Sequence, residues 1–166
     1  MVRVLVIRHA VAFERDRRRW PDDFKRPLTT EGIHRFRKGA QGLARLAGRA
    51  EQVLTSPLVR AVQTAEILTA VTGWPAALEV PQLAPGQSTQ QALALIREHS
   101  AGCLAVVGHE PGLSRLVAIA IGGTASRASI ALKKGGVACV EFGRVVRPGG
   151  AQLLWLATPR LLRSLS

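Results

Sequence analysis

The chain has 166 residues, 47% of them hydrophobic and only 4% aromatic, and carries a formal net charge of +12. That size fits one domain spanning 1–166 with a core of its own. The composition excludes a disordered or fibrous polymer, and no apolar run reaches the ~18 residues needed to cross a bilayer.

The first strand is expected at 2–8 (VRVLVIR), a β-branched apolar run too short for a helix. Residues 1–12 are interrupted by Arg3, Arg8 and His9, too short and too charged for a secretory signal, so the expectation is a soluble cytoplasmic protein. The charged stretch 10–27, with Pro21 and Pro27, reads as a long loop of the kind that often carries function. Leu28-Thr29-Thr30-Glu31 opens a helix, with Thr29 as cap and Glu31 in the positive first turn. Ile33, Phe36, Ala40, Leu43 and Leu46 follow at helical spacing.

A short strand at 52–55 leads to Ser56-Pro57, read as an N-cap followed by proline at the first helical position, with Gly73 ending that helix. A weak strand is expected at 77–80, a loop at 81–88, and a helix from the Ser88 cap through Glu98. CLAVV at 103–107 is a buried strand, and Gly108-His109-Glu110-Pro111-Gly112 is the turn before a helix at about 113–121. Strands at 137–143 and 151–157 flank the turn Arg147-Pro148-Gly149-Gly150. Alternating strands and helices imply an α/β fold with a mainly parallel sheet covered on both faces and a C-terminal antiparallel hairpin.

Arginine supplies 19 of the 23 basic residues. The densest run, Arg15-Asp16-Arg17-Arg18-Arg19, has the charge of a phosphate-contacting patch. The scarcity of aromatics and of any nucleic-acid module argues against nucleic acid and for a solvated loop. Cys103 and Cys139 lie in apolar runs and read as unpaired buried thiols.

In open α/β sheets, ligands bind beyond the carboxyl ends of the strands. Three such ends carry basic residues: Arg8-His9, Ser56 to Arg60, and Gly108 to Gly112 with His109. Two imidazoles and two guanidiniums in one crevice suit a phosphoryl group, because the arginine fork matches two phosphate oxygens. A neutral imidazole is a competent nucleophile near neutral pH, and the phosphohistidine it forms is open to attack by water. Arg26, before Pro27-Leu28-Thr29, is a further candidate substrate contact, balanced against a structural role.

Arg8-His9-Ala10, Leu28-Thr29-x-x-Gly32, Ser56-Pro57-x-x-Arg60-Ala61-x-Gln63-Thr64-Ala65 and Val107-Gly108-His109-x-Pro111, in this order, resemble the histidine phosphatase superfamily. The short length and Leu83-Ala84-Pro85 are similar to its bacterial phosphohistidine phosphatase branch, the SixA-like proteins. The resemblance implies a three-layer α/β/α sandwich that needs no metal or organic cofactor. It implies His9 as the phosphorylated nucleophile, Arg8 and Arg60 on phosphate oxygens, and His109 stabilising the transition state.

Two departures narrow this. Residues after Arg8-His9 lack the polar tail of the mutases, and the region after the third strand, from Glu79 to Gly86, offers no acid at the expected turn. A protonated imidazole leaves more easily than an alkoxide, so a site without a dedicated acid suits phosphohistidine in proteins. Asp16, Asp22 and Glu110 are the loop carboxylates that could supply an acid. The expected partner is therefore a phosphohistidine-bearing protein. The alternatives are a small phosphate compound as an ester substrate, or a non-catalytic module binding phosphate or nucleic acid; no membrane partner is expected.

Overall fold

The computed structural model describes residues 1–99 and 102–166. The elements run β1 (Val2–Arg8), α1 (Thr30–Ala47), β2 (Gln52–Thr55), α2 (Val59–Thr72), β3 (Leu78–Glu79), α3 (Thr89–Glu98), β4 (Cys103–Gly108), α4 (Gly112–Gly122), β5 (Val137–Phe142), β6 (Ala151–Ala157) and α5 (Pro159–Ser164). The six strands form one sheet in the order β3-β2-β4-β1-β5-β6. Neighbours among β1 to β4 pair in parallel, whereas β5 runs antiparallel to both β1 and β6. The sheet is thus mainly parallel with an antiparallel C-terminal hairpin, as the alternation of elements predicts.

Strand periodicity builds the three layers. Successive side chains of β1 point to opposite faces, so Val4 and Val6 join Leu93, Ile96, Leu116 and Val117 in one core, under α3 and α4. Leu5 and Ile7 join Phe36, Leu43, Leu68 and Leu162 in the other, under α1, α2 and α5. Each fully buried Leu or Ile contributes roughly 1.5–3 kcal/mol relative to exposure, so β1, buried on both faces, anchors the sheet. Among the described residues no helix is long and apolar enough to cross a membrane.

Local signals set most boundaries. The Thr29 hydroxyl accepts the Gly32 N–H, starting α1, and Ser88 and Gln91 form a reciprocal capping box on α3. Gly73, at φ 70°, closes α2 in the left-handed region. The Ser56-Pro57 expectation is corrected: α2 begins at Val59, Leu58 is its cap residue, and no side chain caps it. The Ser56 hydroxyl is drawn away toward His109, as described below. The weak third strand shortens to Leu78–Glu79. Helix α5, absent from the expected order, starts at the Thr158 cap with Pro159 in its first turn and buries Leu162 against α1.

Topology then places the site. Strands β1, β2 and β4 are parallel, so their carboxyl ends share one edge, and β4 lies between the other two. Arg8 is in register with Gly108, and Thr55 with Val107. The residues that follow, His9, His109 and Ser56, therefore emerge side by side.

Candidate active site

The backbone of the nucleophile candidate is clamped from both sides. The His9 N–H donates to Gly108 O at 3.1 Å, and the Gly135 N–H reaches the carbonyls of both Arg8 and His9 at 3.1 Å. Ala10 is tied down from below, its N–H donating to Thr64 Oγ1 at 3.0 Å while the Thr64 hydroxyl donates to Arg60 O at 2.7 Å. Gly32 packs its Cα against the chain leaving the site, where a Cβ would fall 2.1 Å from Val11 O. The Gln63-Thr64 and Leu28-to-Gly32 motifs thus act on the segment 9–11 from two helices, with Gln63 Oε1 accepting the Leu28 N–H.

His9 is 6% exposed, and its Nδ1 lies 2.7 Å from Ala10 O. A carbonyl only accepts, so Nδ1 carries the ring hydrogen and Nε2 presents a bare lone pair. Burial pushes the imidazole pKa down to about 4; the Ala10 hydrogen bond opposes this, and the charges of Arg60, Arg8 and Lys134 reinforce it. His109 stands beside it with ring centroids 5.1 Å apart. Its pKa falls to about 3, through burial first and then the neighbouring His9 and Arg60. Both rings are neutral at pH 7.

His109 Nε2 is 2.8 Å from Ser56 Oγ, and the same oxygen accepts the Leu58 N–H at 3.3 Å. Arg8 Nη1 donates to Leu132 O at 2.9 Å. Arg60, only 4% exposed, is held by a residue that sequence inspection missed: Nη1 donates to Asp23 O at 2.9 Å and Nη2 to Asp23 Oδ2 at 3.1 Å. Arg26 Nε meets the other Asp23 oxygen at 2.8 Å, and its Nη1 donates to Phe13 O at 2.7 Å. Burial disfavours the Asp23 charge, but the Arg26 hydrogen bond and the charges of Arg60, Arg26 and Arg15 outweigh it and hold the pKa at about 2. Arg8 Nε, Arg60 Nε and His109 Nδ1 are buried with no hydrogen-bond partner among the described residues.

Arg8, His9, Arg26, Arg60 and His109, all expected from sequence, line one cleft of about 520 Å³, together with Asp23, Glu14, Glu110 and Lys134. Of the loop carboxylates considered, Glu110 alone lines it; its Oε2 accepts the Ser114 hydroxyl and its Oε1 is buried without a partner among the described residues. Asp16 accepts the Arg18 and Arg19 amides and Asp22 the Phe24 amide, so both serve local turns. Part of the basic run is also spent on the loop itself: Arg15 pairs with Asp23, and the Arg19 guanidinium lies 4.3 Å from the Phe13 ring centroid. Among the described residues no group of three His, Cys, Asp or Glu side chains is placed to hold a metal ion.

The sequence pattern of the histidine phosphatase superfamily (branch 1) matches residues 4–83. An uncharacterized protein from Picosynechococcus sp. is 38% identical over 161 residues, covering 93% of this chain and 95% of that one. Among solved structures, the protein histidine phosphatase SixA complexed with tungstate superimposes with a TM-score of 0.82 at 27% identity, over 95% of this chain and 97% of that one. A mycobacterial glucosyl-3-phosphoglycerate phosphatase shares the fold, with a TM-score of 0.73 at 13% identity over 95% of this chain and all of that one. With the motifs in order, the sheet built as expected and two histidines sharing one cleft with two guanidiniums, the chain belongs to the histidine phosphatase superfamily, in its SixA-like branch.

Proposed function

We propose that this chain, acting as one domain over 1–166, removes phosphate from phosphohistidine in proteins through a phosphohistidine intermediate on His9. The observation that carries the proposal is the His9 ring itself: Nδ1–H is fixed to Ala10 O, the ring is neutral, and Nε2 is left as the nucleophilic atom in a cleft shared with Arg8, Arg60 and His109. The Nε2 lone pair attacks phosphorus in line and the bond from phosphorus to the substrate nitrogen breaks, the departing imidazole keeping its electron pair and leaving neutral when that nitrogen is protonated. Water then attacks phospho-His9, releasing inorganic phosphate and restoring the neutral ring.

Three donors suit the phosphoryl oxygens. Arg8 Nε, Arg60 Nε and His109 Nδ1 have no partner among the described residues, and a buried polar group of that kind calls for one. Charge developing on the equatorial oxygens is met by two guanidiniums and an imidazole fixed in advance, the arrangement that stabilises phosphoryl transfer. In this reading no metal is needed. The neighbour solved with tungstate, an oxyanion, and called a protein histidine phosphatase supports the assignment. The proposal also keeps the chain in the cytoplasm, in line with the free thiols Cys103 and Cys139.

A second possibility has its own observation. Glu110 lines the cleft with one buried oxygen that has no partner among the described residues, a position from which a carboxyl could serve the oxygen leaving group of a small phosphate ester. The deciding experiment is a brief incubation with a phosphohistidine-bearing protein or with acetyl phosphate, followed by mapping of acid-labile phosphate. Label on His9, lost in His9→Ala along with turnover, is the expected result. Full activity in His9→Ala would overturn the mechanism, and faster turnover of alkyl phosphates than of phosphohistidine would select the ester reading.

A further inference from the structure

A second cavity, of about 390 Å³, lies on the other side of the segment that carries the nucleophile, between α1, the turn at 133–135 and the start of α5. Its walls hold Arg35, Lys133, Lys134, Arg160 and Arg163 and no carboxylate; Phe36 and Pro159 supply apolar lining. Arg35 pairs with Glu31 on α1. Among the described residues none of the other four cations is in an ion pair with an acidic side chain. One residue, Lys134, lines both this cavity and the catalytic cleft. The turn bearing Lys133 and Lys134 is fixed to the site by the Gly135 N–H on the Arg8 and His9 carbonyls.

We infer that this groove receives an acidic segment of the phosphorylated protein substrate, flanking the phosphorylated residue. The inference rests on the proposal that the substrate is a phosphoprotein. A small phosphate monoester is accommodated within the 520 Å³ cleft and leaves the second groove without a use. A polypeptide continues on either side of the phosphorylated histidine, past Lys134 and into a groove where Lys133, Arg160 and Arg163 have no ion-pair partner among the described residues. Charges of this kind, partly exposed and on long side chains, act through complementarity and steering, and they favour acidic partners over neutral ones. Single-stranded nucleic acid fits less well, because Phe36 is the groove's one aromatic lining residue and it is 5% exposed, leaving no platform for bases to stack on.

The test uses Arg160→Glu/Arg163→Glu, two positions outside the catalytic cleft. A labelled peptide rich in Asp and Glu but not phosphorylated reports groove binding without catalysis; para-nitrophenyl phosphate reports the cleft. Two otherwise identical phosphohistidine peptides, one with acidic and one with neutral flanks, report the coupling of the two. Wild type should bind the labelled acidic peptide at least about tenfold more tightly than the variant does. Its KM should favour the acidic-flank substrate by a similar factor, and that preference should vanish in the variant and at about 0.5 M salt, where screening acts within about 4 Å. Rates on para-nitrophenyl phosphate should stay within about twofold. Equal binding of the labelled peptide by wild type and variant overturns the inference, as does an oligonucleotide that outcompetes the peptide. Peptide binding that shifts as expected while neither phosphopeptide is turned over would instead locate the failure in the proposed substrate and leave the groove standing.

Discussion

Asp23 and Arg60 meet at two points, one through the Asp23 carboxylate at 3.1 Å and one through its backbone carbonyl at 2.9 Å. The contact uses both terminal nitrogens of the guanidinium and leaves Nε buried with no partner among the described residues. Asp23 thereby fixes the aim of the arginine proposed to hold phosphate, and it also places a negative charge beside the proposed phosphate position. Asp23→Asn separates these two effects. Loss of the charge should tighten inhibition by inorganic phosphate or vanadate several-fold, since the net positive field rises. Loss of the ionic hold should lower kcat by about tenfold, as a charge-assisted bond is replaced by a weaker neutral one. Steady-state kinetics with phosphate as inhibitor reads both; weaker inhibition with unchanged kcat would contradict this account of Asp23.

Ser56 has a comparable relation to His109. Its Oγ accepts the Leu58 N–H, and the one acceptor placed for its own hydrogen among the described residues is His109 Nε2 at 2.8 Å; donated there, it puts the ring hydrogen on Nδ1. That is the orientation the proposed mechanism needs for His109 to donate to a phosphoryl oxygen. Ser56→Ala should lower kcat by about tenfold or more with a smaller change in KM, and should cost about 1–2 kcal/mol of stability because a buried acceptor loses its donor. A kcat equal to wild type would show that His109 needs no help from Ser56.

The strand ends were legible because short continuous apolar runs and the carboxyl-end rule are local and topological signals: they led to His9 from β1 and to His109 from β4. The caps at Thr29 and Ser88 were legible for the same reason, since each sits three residues from the group it serves. What sequence alone did not show depends on contacts across the fold. Asp23 reaches Arg60 only because the loop turns back at the short 3-10 turn Asp23–Lys25. Ser56 looked like a helix cap because Ser-Pro is a cap signature, and only the neighbouring β4 reveals that His109 claims its hydroxyl. Helix α5 is six residues long; isolated helices of that length are marginal, and its existence rests on Leu162 packing into the α1 side of the core. The Ala10 carbonyl that sets the His9 tautomer is backbone, which residue identity does not announce.

Glu110 separates the two substrate classes. Its side chain is held by Ser114 and lines the cleft. An alkoxide leaving group needs a proton, and general acids contribute roughly 10²–10⁴-fold, whereas a protonated imidazole does not need that assistance. Glu110→Gln should therefore leave phosphohistidine turnover within about twofold of wild type. A loss of about a hundredfold confined to alkyl phosphates, in an enzyme whose wild type prefers those esters, would identify Glu110 as the acid and the chain as an ester phosphatase.

The buried histidines also tie stability to pH, in a definite direction. His9 has a folded-state pKa of about 4 and His109 of about 3, both below the ordinary value of 6.5. Between 6.5 and those values the unfolded chain binds protons that the folded chain refuses, so stability falls as the pH is lowered through that window. For His9 alone the loss between pH 7 and pH 4.5 is on the order of 2 kcal/mol. Asp23 acts in a different range: its depressed pKa of about 2 gives stability that is fully present above its unfolded value of 3.8 and is lost only as pH falls toward 2. Urea denaturation at pH 7 and pH 4.5 therefore isolates the histidines. The midpoint should drop sharply in wild type and less in His9→Ala, because the variant has one fewer group that must be kept neutral. The same property keeps the His9 ring, the proposed nucleophile, unprotonated in mild acid, so an NMR titration of its ring should show no protonation step near 6.5; a step there would mean that the His9 side chain is far better hydrated than its 6% exposure implies.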